Sequence, residues 1–213
     1  MNEMQLDETV VPGEKQYDRA YFDRWYRRSR VGVGEREFVE RKVRLAVAAA
    51  EFVLARRIRT VLDVGCGEAP WRAILKRMRP RLEYQGFDSS EYAVKRFGRR
   101  RNIRRASLGE MGWVGLKGEF DLVVCADVMH DVRSPEVRAG LAALAPHVGG
   151  VAFFEAFTSD DEIDGDHAEL QDRTAAVYRR FFDEAGFVPL GLHLYVTRKT
   201  ARTLVALERG AAG

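Results

Sequence analysis

An aspartate two residues ahead of a glycine-cysteine-glycine turn, a second aspartate 21 residues beyond that turn, and a histidine flanked by two more aspartates are the groups of this 213-residue chain best suited to chemistry. In Asp63-Val64-Gly65-Cys66-Gly67-Glu68-Ala69 the small residues let a ligand come close to the backbone, and a helix that follows would offer it unpaired N–H groups. Asp63 is placed to orient this turn and to accept an ammonium, directly or through water. Asp88 ends a second strand, where an acid can grasp both hydroxyls of an adenosine ribose across the sheet edge. The pair carries more information than either part. His130, within Asp127-Val128-Met129-His130-Asp131, is the candidate general base, because imidazole moves protons near neutral pH. Asp131 would orient it or bind a polar substrate, and Asp127 would hold a ligand amine. The plainer alternative stays open: a histidine packed on a ligand and aspartates that cap a loop.

These groups need strands that end together. Residues 59–64 have the β-branched, apolar content of a central parallel strand with the glycine turn at its carboxyl end. A helix from Trp71 to Met78 follows, then strands at 82–87, 102–104 and 120–125, with a helix at 91–97 between the first two of these. Pro135 suits the first turn of a helix that ends near Pro146, and Gly149-Gly150 precede a fifth strand at 151–157. An acidic loop at 158–167 leads to a helix at 168–185 stopped by Gly186, and strands at 187–196 and 201–207 complete the chain. Such alternation predicts helices on both faces of a seven-stranded, mostly parallel sheet.

Ahead of this pattern, residues 1–13 read as a loose tail. Tyr17, Tyr21, Phe22, Trp25 and Tyr26 recur at helical spacing and end before Gly32 and Gly34. A second amphipathic helix spans 35–57. The expected organisation is therefore a flexible tail and helical cap over 1–34 and one domain over 35–213.

Hydrophobic residues make up 46% of the chain and charged residues 31%, a globular composition rather than a disordered one. Cys66 and Cys125 lack metal-like spacing and read as reduced thiols of a cytoplasmic protein. No apolar run reaches the roughly 20 residues that span a bilayer, and the first residues carry no targeting pattern. Net charge is only +3, but 15 Lys or Arg stand against 5 Asp or Glu between Arg56 and Arg105. Between Glu155 and Asp172 there are eight acidic residues and no basic one.

The glycine turn and the distal acid together resemble class I S-adenosylmethionine-dependent methyltransferases, a likeness that extends over about residues 40–207. Asp63, Gly65 and Gly67 match the acidic-glycine motif, and Asp88 matches the ribose-binding acid, with Ser89 beside it. The resemblance implies a Rossmann-like α/β fold and S-adenosyl-L-methionine as cofactor. It also implies that Ser107 and Leu108 lie beside the adenine and that Cys125 and Asp127 lie near the methionine portion. Ala69 departs from the pattern, since many members have a third glycine there. A nicotinamide-dependent oxidoreductase is the nearest rival, but Pro70 breaks its GxGxxG fingerprint.

A sulfonium methyl needs little activation, so the expected work of the protein is alignment and exclusion of water. Tyr17, Tyr21, Trp25 and Tyr26 are candidates for an aromatic substrate wall, with packing of the added helix as the alternative. Glu155 and His167 are candidates for the same mouth, and the acidic loop either attracts a cationic substrate or is simply a solvated lid. No residue set forms a convincing metal motif, and no metal is predicted. The expected partner is a small polar metabolite or natural-product intermediate, with a second copy of the chain, as a homodimer, a further candidate. RNA is the second substrate class, because Arg96, Arg99, Arg100, Arg101, Arg104 and Arg105 form a basic stretch, although charge alone is not a recognition motif. A cofactor-binding protein without catalysis is the non-enzymatic alternative.

Overall fold

The computed structural model describes residues 17–24, 36–162 and 169–204. A short helix, α1 (Arg19–Phe22), is capped by Asp18, whose carboxylate accepts the Tyr21 N–H at 2.9 Å. Helix α2 (Arg36–Leu54) precedes β1 (Thr60–Val64), α3 (Pro70–Met78), β2 (Glu83–Asp88), α4 (Glu91–Arg101) and β3 (Ile103–Arg105). Then come β4 (Phe120–Ala126), α5 (Ser134–Leu144), β5 (Val148–Glu155), α6 (Ala175–Glu184), β6 (Phe187–Gly191), β7 (Leu194–Thr197) and α7 (Arg198–Ala201).

The seven strands form one sheet in the order β3-β2-β1-β4-β5-β7-β6. All neighbours are parallel except β7, which runs antiparallel to both β5 and β6. Alternate residues of the central strands enter two separate cores. Val61, Leu122, Val124, Val151 and Phe153 pack toward α2, α3 and α4, whereas Leu62, Val123, Cys125, Ala152 and Phe154 pack toward α5 and α6. Both faces of the sheet are thus covered, which is why its strands read as continuous apolar runs. Strand order reverses between β1 and β4, and in open α/β sheets ligands bind at the carboxyl ends of strands where that reversal occurs. Among the described residues no helix is long and apolar enough to cross a membrane.

Four expectations about elements need correction. Gly149 and Gly150 lie inside β5 rather than before it: a Cβ on Gly150 would stand 2.3 Å from the Asp121 carbonyl oxygen, so glycine permits close approach to β4. The expected helix at 168–185 begins only at Ala175, because Arg173 is drawn into the core ahead of it and Thr174 is extended. The segment 187–196 is a hairpin of two strands, β6 and β7, turning at Leu192 and His193. Residue 201, expected in a strand, ends α7. Both turn residues are left-handed, φ 51° and 64°, as a tight two-residue hairpin turn requires. The expected strand at 201–207 otherwise runs out of the described residues.

Candidate active site

The glycine turn grows out of β1. Gly65 and Gly67 have φ of +70° and +52°, and the N–H groups of Gly65 and Cys66 both bond to the Phe87 carbonyl at 2.8 and 3.0 Å. A Cβ on Gly65 would also stand 2.2 Å from Val128 Cγ2, so conformation and space both require glycine here. Ala69 adopts φ 57° immediately before Pro70 opens α3, so it takes a conformation that a glycine would take without strain.

Asp88 at the end of β2 ties this turn to the next one. One carboxylate oxygen accepts the Gly67 N–H at 2.6 Å and the other accepts the Ser90 N–H at 2.8 Å. Burial raises its pKa, and these two N–H groups oppose the rise. Asp63 is also buried, accepts the Tyr84 hydroxyl at 2.7 Å, and has its pKa pushed up to about 7 by burial, with the Tyr84 hydroxyl pulling down and the nearby Asp88 adding to the rise. Ser89 is exposed beside Asp88, on a groove of about 940 Å³ that Tyr17, Tyr92 and Arg105 also line.

Two expected neighbours of the adenine are occupied by the fold. Ser107 gives its N–H and hydroxyl to Glu110, at 2.7 and 2.9 Å. The Leu108 side chain is buried against α5, where a Cβ on Gly140 would meet it at 2.6 Å. Cys125 lies wholly within the core that faces α5 and α6. What these residues can present to a ligand is mainly backbone. Both thiols are free and buried, and burial raises the pKa of each.

The turn after β4 brings His130 and its aspartates together. Asp127 has φ 60°, and the His130 Nε2 lies 3.6 Å from Asp127 Oδ1 and 3.9 Å from Asp131 Oδ1. His130 is 6% exposed, its ring stands 5.1 Å from that of Phe157, and its Nδ1 is buried with no hydrogen-bond partner among the described residues. The pKa of Asp127 is raised by burial, with His130 opposing.

Helix α1 crosses above these elements. The Tyr17 carbonyl accepts the Ser90 hydroxyl at 2.5 Å, and the Tyr17 hydroxyl reaches Asp131 Oδ2 at 3.3 Å. Burial and the neighbouring Asp131 raise the Tyr17 pKa. Tyr21 meets Tyr17 edge to face at 5.0 Å, and Phe22 packs on Tyr92 of α4 at 5.6 Å. Trp25, Tyr26 and His167 lie outside the described residues.

Three residues that sequence reasoning passed over hold the site together. Ser90 caps α4 through the Ala93 N–H while contacting Tyr17. Lys42 of α2 makes a buried ion pair with Glu155 at the end of β5. Arg173 gives hydrogen bonds to the carbonyls of Met129 and Val132 and to the Tyr178 hydroxyl, clamping the His130 turn. The signal for Lys42 was its position three and four residues from Val39 and Ala46 on the buried stripe of α2.

The family described as "Methyltransferase domain" matches residues 35–192. The chain belongs to that family. Solved structures share its fold. A SAM-dependent methyltransferase from Archaeoglobus fulgidus aligns with TM-score 0.60 and 16% identity over 79% of this chain and 73% of that one. Magnesium protoporphyrin IX methyltransferase from Synechocystis PCC 6803, solved with bound SAH, aligns with TM-score 0.55 and 19% identity over 82% and 89% of the two chains. DesVI of Streptomyces venezuelae gives 0.53 and 16% over 71% and 87%. No curated protein sequence matches the chain significantly. This methyltransferase therefore has the Rossmann-like class I fold, with a helical extension at its N-terminal side.

Proposed function

We propose that this methyltransferase uses S-adenosyl-L-methionine to methylate a small polar metabolite or natural-product intermediate, with residues 1–34 as a cap on a catalytic domain of 35–213. The observation that carries the reading is the Gly65-Cys66-Gly67 turn held by the Asp88 carboxylate at the strand-order reversal. The residues fit the cofactor: a buried carboxylate with lone pairs remaining after two N–H bonds suits a ribose diol. Ser89 extends that contact. The backbone at Ser107 and Leu108 borders the adenine, and Asp63, with the Cys125–Asp127 end of β4, faces the methionine portion.

The cofactor supplies an electrophilic methyl group on a sulfonium. The chain's own work is to hold the acceptor in line and keep water away, and Tyr17, just ahead of α1, and Tyr21 within it are the cover that does so. His130 takes the acceptor's proton when that acceptor begins protonated. Its buried Nδ1 has no hydrogen-bond partner among the described residues, and its Nε2 lies near the carboxylates of Asp127 and Asp131. Glu155 and His167 contribute to the acceptor's mouth.

Calorimetric titration tests the reading. S-adenosylmethionine and S-adenosylhomocysteine should bind, and NAD and NADP should not. Asp88→Ala should stay folded and lose about ten-fold or more in affinity, as expected for losing charge-assisted bonds to the ribose. Preference for a nicotinamide dinucleotide, or unchanged affinity in folded Asp88→Ala, would overturn the assignment.

A further inference from the structure

Behind the glycine turn is a second, narrow cavity of about 30 Å³, whose charged lining is Lys42, Asp63, Asp127 and Glu155. Lys42 is the single cation among the described residues that line it. The Lys42 Nζ lies 2.6 Å from Glu155 Oε1 and 2.7 Å from Oε2, with side chains 15% and 4% exposed. The same ammonium stands 4.2 Å from the centre of the Phe38 ring. A bidentate pair this deep in the protein is costly to break unless the freed charge finds another partner.

The methyl donor of the proposed reaction ends in an amino acid, which carries an ammonium and a carboxylate together. Its ammonium has Asp63 and Asp127 to meet. Its carboxylate, facing three acidic side chains, has only Lys42. Both Glu155 oxygens hold the Lys42 ammonium, so a second carboxylate reaches it in competition with Glu155.

We propose that Lys42 is an exchange group, which leaves Glu155 to bind the carboxylate of the donor's amino-acid end, so that Glu155 competes with that end rather than binding it. This inference rests on the proposed use of S-adenosylmethionine and adds a binding residue to it. Once released, Glu155 is a buried carboxylate that lines the same cavity as Asp127, since Ala126 and Glu155 are paired across β4 and β5.

The test compares two ligands that share the adenosyl thioether. S-adenosylhomocysteine carries the amino acid and 5′-methylthioadenosine lacks it. Lys42→Met should weaken S-adenosylhomocysteine by about ten- to a hundred-fold, the size of a charge-assisted contact. It should leave 5′-methylthioadenosine within about two-fold. Glu155→Gln should tighten S-adenosylhomocysteine several-fold, because the competitor for Lys42 is gone, again without moving 5′-methylthioadenosine. Should Lys42→Met fail to fold with Glu155 left alone, the Lys42→Met/Glu155→Gln double variant removes both charges and should show the same loss of about ten- to a hundred-fold for S-adenosylhomocysteine against the wild type, with 5′-methylthioadenosine again within about two-fold. Equal losses for both ligands, or weaker S-adenosylhomocysteine binding by Glu155→Gln, would overturn the exchange. Failure of the wild-type protein to bind either adenosyl ligand would overturn the use of the cofactor, and the exchange with it.

Discussion

Asp63 and Asp88 are buried on adjacent strands, yet their surroundings treat their charges differently. Asp88 receives two backbone N–H groups, whereas Asp63 receives one phenolic hydroxyl and sits near a second carboxylate. The folded chain therefore binds the Asp63 proton more tightly than the unfolded chain does. The contribution of this group to stability falls as pH rises from the ordinary aspartate range to about 7, and is flat above that. Asp63→Asn keeps an acceptor for Tyr84 and removes the buried charge. Urea unfolding should show it more stable than the wild type by on the order of 1–3 kcal/mol at pH 8, with the gain vanishing near pH 4. The same variant should bind S-adenosylmethionine more weakly at pH 8, because an ammonium has lost its anion. An equal stability gain at both pH values would show that folding does not raise the Asp63 pKa. The residues of this turn were legible because their spacing is local to one strand and the next. Lys42 was not: a lysine on an amphipathic helix ordinarily belongs to its solvated face, and its partner is 113 residues away.

At the scale of elements, the strands most legible are β1, β4 and β5, which are buried on both faces, whereas the short edge strand β3 buries only Ile103. The missed hairpin turns on Leu192-His193, which carries none of the Asn or Gly that normally announces such a turn. Tertiary contacts accompany it: the His193 ring meets Phe153 at 5.7 Å, and its carbonyl accepts the Phe154 N–H at 2.9 Å. The late start of α6 has a similar origin. Helical periodicity extends back from Ala175, but Arg173 gains more by entering the core, where it bonds two carbonyls of the His130 turn and Tyr178. The Gln171 N–H bonds the His130 carbonyl at 2.8 Å beside it. Arg173→Met would strand buried acceptors, so chemical denaturation should register a loss of about 2–4 kcal/mol. Arg180→Met, at an exposed ion pair with Glu184, should leave stability within error. Equal effects of the two substitutions would remove Arg173 as the clamp of that turn.

Over the whole molecule, the basic bias of residues 56–105 looks different once the side chains are placed. Arg56 pairs with Asp121 and Arg79 with Glu51, while Arg101 bonds the Glu68 carbonyl and lies 4.0 Å over Phe97. Arg104 lies over Phe87 at 5.3 Å. Several of these charges thus hold the fold together rather than forming a free phosphate-binding face, and that weighs against RNA. Long-range attraction would bring a polyanion to α4 and β3 without aligning a base beside the donor's methyl group. The segment that leads into helix α1 joins the two ends of the site instead: Tyr17 touches Ser90, two residues from Asp88, and Asp131, next to His130. A cover with those contacts suits an acceptor small enough to lie beneath it. Incubation of the protein with methyl-labelled S-adenosylmethionine and an extract of its host should therefore label a small-molecule fraction, with little label in bulk RNA. Tyr17→Phe keeps the ring and loses the contact with Asp131, and it should slow that labelling while S-adenosylhomocysteine affinity changes less than about two-fold. Robust incorporation that ribonuclease removes would reverse the choice of substrate class. Binding of the cofactor with no label in either fraction would instead favour a cofactor-binding role without catalysis.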